Sequence, residues 1–182
     1  AKVSANSLNV ERVTLWKFEN DKTELLSELY YNADENVYDQ NGLVIKKEDY
    51  PAYFNVFENE TSINIADVSN NPITKPFAKD FYIPSNISSR LDVVIHGKND
   101  HYGIISFESS NDKRVFNNEE ENFATSIANV VSLMVESTER NIAEGKLVKT
   151  NEKLLEVNTE LNKLKKELEE QNVYLREEID LV

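Results

Sequence analysis

The chain has 182 residues, with 33 acidic side chains against 20 basic ones for a formal charge of −13, and it contains no cysteine. That acidic balance argues against a nucleic-acid or anionic-membrane surface, which needs clustered Lys and Arg. The absence of Cys excludes disulfides, thiolate metal sites, iron–sulfur clusters and thioether-linked cofactors, and with no membrane-length apolar run and no signal-peptide pattern the expected compartment is the cytoplasm.

Up to about Ser110 the apolar residues come in short runs separated by polar turns. Val10 to Phe18 is rich in β-branched and aromatic residues and predicts a strand, Glu19 to Lys22 a turn, and Leu25 to Tyr31 the return strand of a hairpin. Leu43-Val44-Ile45 predicts another short strand. Asp49 is placed to cap a helix with Pro51 in its first turn, and Tyr50, Phe54 and Phe57 share one face of that helix up to about Asn59. Ser62 to Ala66 predicts a strand, the segment from Asp67 to Pro72 a turn-rich loop, and Pro76 the opening of a short helix carrying Phe77 and Phe81. Leu91 to His96 and Tyr102 to Glu108 predict two strands joined at Gly97-Lys98-Asn99-Asp100. Their continuous apolar runs suit central strands covered on both faces.

After Asn117 the period becomes helical. Asn117 with Glu120 makes a capping box, and Glu119, Glu120 and Glu121 suit the positive end of the helix dipole. Phe123, Ile127, Val130 and Met134 are expected to line one face, widened by Ala124, Ala128, Val131 and Val135, so that this stretch packs on the sheet. Gly145 is a weak point in the helix. Beyond it leucine recurs at Leu147, Leu154, Leu161, Leu168 and Leu175, with Val182 on the same beat, which predicts a coiled coil. With these at position a, Val157 and Leu164 take d. The seam then runs through Asn172, Leu175, Ile179 and Val182, and two successive four-residue steps around Leu168 form a stutter. Asn172 in the seam favours a parallel, in-register homodimer. The heptads run to the last residue, so the chain is expected to be a fragment of a longer protein.

The domain resembles a known family. Leu8 to Phe18, Asp49-Tyr-Pro-Ala-Tyr-Phe54, Asp67 with Pro72, Ile87-Ser-Ser-Arg-Leu-Asp92, Gly103-Ile-Ile105 and Phe116 to Ala124 follow the order of segments in a bacterial signalling subgroup of GAF domains. The resemblance covers roughly residues 1–140 and implies an α+β fold, a GAF-like antiparallel sheet with helices on both faces. Residues 141–182 would follow as the dimerising and signalling helix. Three departures stand out. Only residues 1–8 precede the first strand, where relatives have a longer helix. Ser109-Ser110 stands where cyclic-nucleotide binders of the family carry Asn-Lys, which speaks against that ligand. The Cys through which related photoreceptors hold a bilin is missing, so a covalent bilin is excluded and the cofactor, if any, stays unidentified.

The resemblance would place a ligand pocket between the sheet and the segment from Asp49 to Ile87. Its candidate lining is Trp16, Tyr50, Phe54, Phe77 and Phe81, with Arg90, Asp92 and Ser106 as polar contacts. Each aromatic can equally fill the core, and each polar residue can serve a cap, turn or local ion pair. Ser106 and Glu108 alternate with Ile105 and Phe107 and so share a strand face. His96 and His101 flank a turn but lack a third ligand, so no metal site is expected. No phosphate loop, nucleophile elbow or other catalytic constellation occurs, and no enzymatic activity is expected of these residues. Together these features predict a sensory or regulatory domain in a bacterial signal-transduction or transcription-regulatory protein. It would dimerise and relay a signal through the coiled coil to an output domain, such as a transcriptional-activator ATPase or, in a two-component system, a histidine kinase. The alternative is a ligand-free dimerisation or protein-docking module.

Overall fold

The computed structural model describes residues 1–40, 42–98, 100–110 and 113–180, the last four of these by backbone alone. The chain divides into two compact units, Ala1–Glu136 and Ser137–Val182.

The first unit is built on one antiparallel sheet. Its strands are β1 (Arg12–Glu19), β2 (Glu24–Asn32), β3 (Val37–Asp39), β4 (Val44–Lys46), β5 (Ser62–Ile65), β6 (Ser89–His96) and β7 (His101–Ser109). They lie in the order β3-β2-β1-β7-β6-β5, with β4 also paired to β2. Helices α1 (Lys2–Leu8), α2 (Pro51–Val56) and α3 (Asn118–Asp180) complete it, with a 3₁₀ turn at Lys75–Phe77 and a π turn at Ala78–Tyr82. This is the predicted α+β architecture.

Alternation along the strands sends residues to two different cores. One face carries Val13, Tyr31, Leu91, Val93, Ile95, Ile105 and Phe107 and is covered by Leu8 of α1 and by Phe116, Ala124 and Ala128. The other carries Trp16, Leu25, Val94 and Ile104 and is covered by Tyr53, Phe54, Phe57, Phe77 and Tyr82. Gly103 lets β1 and β7 approach closely: a Cβ there would lie 1.9 Å from the Trp16 carbonyl oxygen.

The capping box at the start of α3 forms as expected. Glu119 and Glu120 donate their backbone N–H groups to Asn117 Oδ1 at 2.9 and 3.1 Å, and the Asn117 N–H bonds Glu120 Oε2 at 2.8 Å. Three local expectations need correction. Asp49 does not cap α2; Tyr50 occupies the cap position without a side-chain bond, because the backbone turns at Lys46, whose carbonyl accepts from the N–H groups of both Asp49 and Tyr50. That helix ends at Val56, not Asn59. On α3 the buried face is Ala124, Ala128 and Ser132, whereas Val130 and Met134 are 53% and 65% exposed. Ala124 and Ala128, with the partly buried Phe123, Ile127 and Val131, pack on the sheet as expected, and the correction concerns Val130 and Met134: small residues let the helix lie close to the sheet, where Ser132 Oγ accepts from the His96 N–H and donates to the Ala128 carbonyl.

In the second unit, α3 exposes Leu147, Leu154, Val157, Leu161, Leu164, Leu168 and Leu175, each more than half accessible, and Asn172 beside them. Val182 and the Ile179 side chain, also assigned to the seam, lie outside the described residues, as does Asn99 of the β6–β7 turn. No helix among the described residues is long and apolar enough to cross a membrane.

Candidate functional site

Three transverse rows of side chains define the sheet face beneath α2 and the π turn. Arg12, Glu108 and Arg90 pair across β1, β7 and β6; Thr14, Ser106 and Asp92 form the next row, with Tyr30 opposite Thr14; Trp16 then faces Ser27 on one side and Ile104 on the other. For the centre of a sheet this is a polar set.

Arg90 organises the inner part. It is 2% exposed and donates from Nε and Nη2 to Asp92 Oδ1 at 3.0 and 2.8 Å, from Nη2 to Ser106 Oγ at 2.7 Å and Tyr53 OH at 3.2 Å, and from Nη1 to Tyr82 OH. Tyr53 OH donates to Asp92 Oδ2 at 2.9 Å. Burial works against the Arg90 charge, but Asp92, the two tyrosines and Glu108 more than offset it, and its pKa stays above the ordinary value. Burial also raises the pKa values of Tyr53 and Tyr82, keeping both phenols neutral. Arg90 and Asp92 thus neutralise each other in a satisfied buried pair.

Glu108 is left over. It is 1% exposed, its Oε1 lies 3.5 Å from Arg90 Nη1, and that oxygen accepts no hydrogen bond. Burial pushes its pKa up; Arg90 and Arg12 lower it in part, and Asp92 raises it further. Beside it lies a cavity of about 370 Å³ lined by Arg12, Thr14, Trp16, Ser27, Tyr30, Leu43, Phe81, Ser85 and Glu108. Of the four buried side-chain polar atoms without a partner among the described residues, three belong to this lining: Trp16 Nε1, Ser27 Oγ and Glu108 Oε1. Each such group costs about 1–3 kcal/mol when it is left unmade.

Local backbone geometry assembles this wall. Ser27 and Tyr30 are three apart on β2 and would point to opposite faces of a regular strand. A register shift places Leu29 opposite Leu15 but Ser27 opposite Trp16, so Glu28 is the extra residue of a bulge and both Ser27 and Tyr30 reach the cavity.

The candidates named from sequence divide three ways. Trp16 and Phe81 line the cavity, their ring centroids 6.5 Å apart. Arg90, Asp92 and Ser106 are brought together, but in the paired network beneath it. Tyr50 and Phe77 stack at 3.7 Å within the aromatic cover, and Phe54 packs edge-on against Phe18 and Tyr53. Glu108, expected as a polar contact only if the face it shares with Ser106 is the pocket side, does line the cavity, and Arg12, Thr14, Ser27 and Tyr30 join it without a signal in the sequence. A larger cleft of about 490 Å³ opens at the sheet edge by Phe18, Phe54 and Phe57, but four of its charged residues already pair, Lys22 with Asp100 and Lys47 with Glu58. His96 and His101 meet with ring centroids 5.3 Å apart, and no group of three metal-ligating side chains occurs among the described residues.

Comparison with known proteins accords with this geometry. The model of the GAF domain family matches residues 1–135. A search of curated proteins finds no match. Among solved structures the chain is similar to the blue-light absorbing form of the PixJ GAF domain of Thermosynechococcus elongatus, with 16% identity, TM-score 0.64, and 78% of this chain and 85% of the other covered. It is also similar to the GAF domain of a phosphoenolpyruvate-protein phosphotransferase from Coxiella burnetii (18% identity, TM-score 0.55, 78% and 79% covered). A third similar structure is a domain of a two-component sensor histidine kinase protein from Sinorhizobium meliloti 1021 (12% identity, TM-score 0.56, 78% and 90% covered). With a family model covering about three quarters of its length and the matching sheet and covering helices in place, the chain belongs to the GAF domain family.

Proposed function

We propose that this chain is the sensory and dimerising part of a bacterial regulatory protein. Its GAF domain takes a small molecule into the cavity beside Trp16 and Glu108, two copies join in parallel through the leucine seam of α3, and occupancy biases that helix toward an output domain. The observation that carries the sensory reading is the placement of three unpartnered, almost fully buried polar atoms around one cavity. A domain kept only for docking gains nothing from leaving such groups unmade, because apolar residues there would make it more stable. The absence of a catalytic constellation in the sequence supports a regulatory role over an enzymatic one. The seam supports the homodimer: seven apolar residues at heptad spacing, each more than half exposed, need a partner helix. The likeness to a domain of a two-component sensor histidine kinase protein supports a kinase as output domain, beside a transcriptional-activator ATPase.

Native mass spectrometry of the purified chain tests both halves. The expected spectrum is a dimer carrying an additional small mass on each protomer. A bare dimer that stays bare after incubation with a metabolite extract would favour the ligand-free dimerisation module, and a monomer would remove the seam. For the relay, spin labels at residue 175 should report a different distance in the ligand-bound and ligand-free dimers; an unchanged distance contradicts it.

A further inference from the structure

Resting on the sensory reading, we propose that the cavity of the GAF domain binds a small organic cation, its ammonium or guanidinium head on Glu108 and an acceptor at its other end on Trp16 Nε1 and Ser27 Oγ. The two ends of the cavity lack different partners. Glu108, when ionised, has only acceptors, so it calls for N–H donors. Indole Nε1 is a donor only, so it calls for an acceptor, and the Ser27 hydroxyl serves in either sense. Along β1 the row of Glu108 and the row of Trp16 are four residues apart, about 13 Å at the backbone, which favours an elongated molecule with different ends.

Charge decides the sign of the head. The Arg90 hydrogen-bond donors are committed to Asp92, Ser106, Tyr53 and Tyr82, so Glu108 Oε1 keeps only a 3.5 Å contact with Arg90 Nη1 and accepts no hydrogen bond. Arg12 stands in the same row but is only half-buried and makes no ion pair among the described residues, leaving it screened by solvent. A cation supplies the donor that Glu108 Oε1 lacks and favours the ionised carboxylate; an anion would face that carboxylate across the same low-dielectric wall. The net charge of −13 also steers cations toward the chain.

Trp16 is the single tryptophan of the chain, so its fluorescence reads the cavity directly. The test is a titration of the whole chain, freed of retained compounds by reversible unfolding, with four probes. Arginine and agmatine share a guanidinium head with and without a carboxylate, citrulline replaces the head by a neutral urea of similar shape, and glutamate is an anion. At least one of the cations is expected to bind ten-fold or more tighter than citrulline, and glutamate to be weakest. The tighter of the two cations tells whether a carboxylate serves as the acceptor end. Glu108→Gln should weaken the cation ten-fold or more and abolish its preference over citrulline. If that variant does not fold, Glu108→Asp, which withdraws the carboxylate by one methylene, should weaken the cation and leave citrulline unchanged. Citrulline or glutamate binding as well as the cations, a preference that survives Glu108→Gln, or no response to any probe would overturn the proposal. A neutral or anionic compound found on the dimer by native mass spectrometry would overturn it while leaving the sensory reading standing.

Discussion

Two carboxylates close together on one sheet face behave in opposite ways, and the difference lies in their partners. Asp92 is bound by Arg90 and Tyr53, and removing it leaves a buried guanidinium short of its main counter-charge. Asp92→Ala is therefore expected to cost about 3–5 kcal/mol of stability in chemical denaturation. Glu108 Oε1 accepts no hydrogen bond and burial disfavours its charge, so removing that charge has the reverse sign: Glu108→Gln should raise the stability of the ligand-free domain near neutral pH. The pH dependence follows from the same asymmetry. The folded-state pKa of Glu108 lies above its unfolded value, raised by burial and Asp92 against the pull of Arg90 and Arg12, with Tyr30 and the neutral Tyr82 also near. Its contribution is complete below the ordinary glutamate pKa and is lost as pH rises through the folded one. The Gln variant should lack that decline, so the gap between variant and wild-type melting temperatures widens from acid toward neutral pH. Much of this was beyond the sequence. Trp16 and Phe81 are recognisable as pocket residues by type and by position in the family pattern. Ser27 is not, because a one-residue bulge at Glu28 decides which face it joins, and alternation alone pairs Glu108 with Ser106 without saying which core they enter.

At the scale of elements, strands and helices were legible where the pattern is strong. The β1–β2 hairpin, the β6–β7 pair and the capped start of α3 lie within about two residues of where hydrophobic runs and turn residues put them. β3 was missed because Val37-Tyr38-Asp39 is exposed and sits between polar stretches, so it carries no burial pattern. On α3 only Val130 and Met134 were misplaced, because they are more apolar than Ser132, while close approach to the sheet selects small side chains. Gly103 shows the same principle between strands. Gly103→Ala should force β1 and β7 apart at Trp16 and cost about 1–3 kcal/mol, with a shift in Trp16 emission that an equally destabilising change on the other face of the sheet, such as Phe107→Leu, does not produce.

At the scale of the whole molecule, the GAF domain and the heptad helix make separate demands. The domain buries its own core on both faces of the sheet, whereas the helix beyond Glu136 leaves its leucines to solvent in a single chain. A parallel homodimer places Leu161 opposite its symmetry mate. Leu161→Cys is therefore expected to cross-link efficiently under mild oxidation, and failure to link would count against the parallel, in-register arrangement. The fold was readable because it rests on periodic patterns; the cavity was not, because it depends on a bulge, a carboxylate oxygen without a hydrogen bond and the packing of two turns. On the proposed function, this polar cavity is built to hold a ligand. A high-resolution crystal structure of the chain, purified without unfolding, measures that directly. Continuous non-protein density bonded to Glu108 at one end and to Trp16 Nε1 or Ser27 Oγ at the other is expected. A cavity holding only separate waters, or one closed by Glu108 turning onto Arg90, would contradict it.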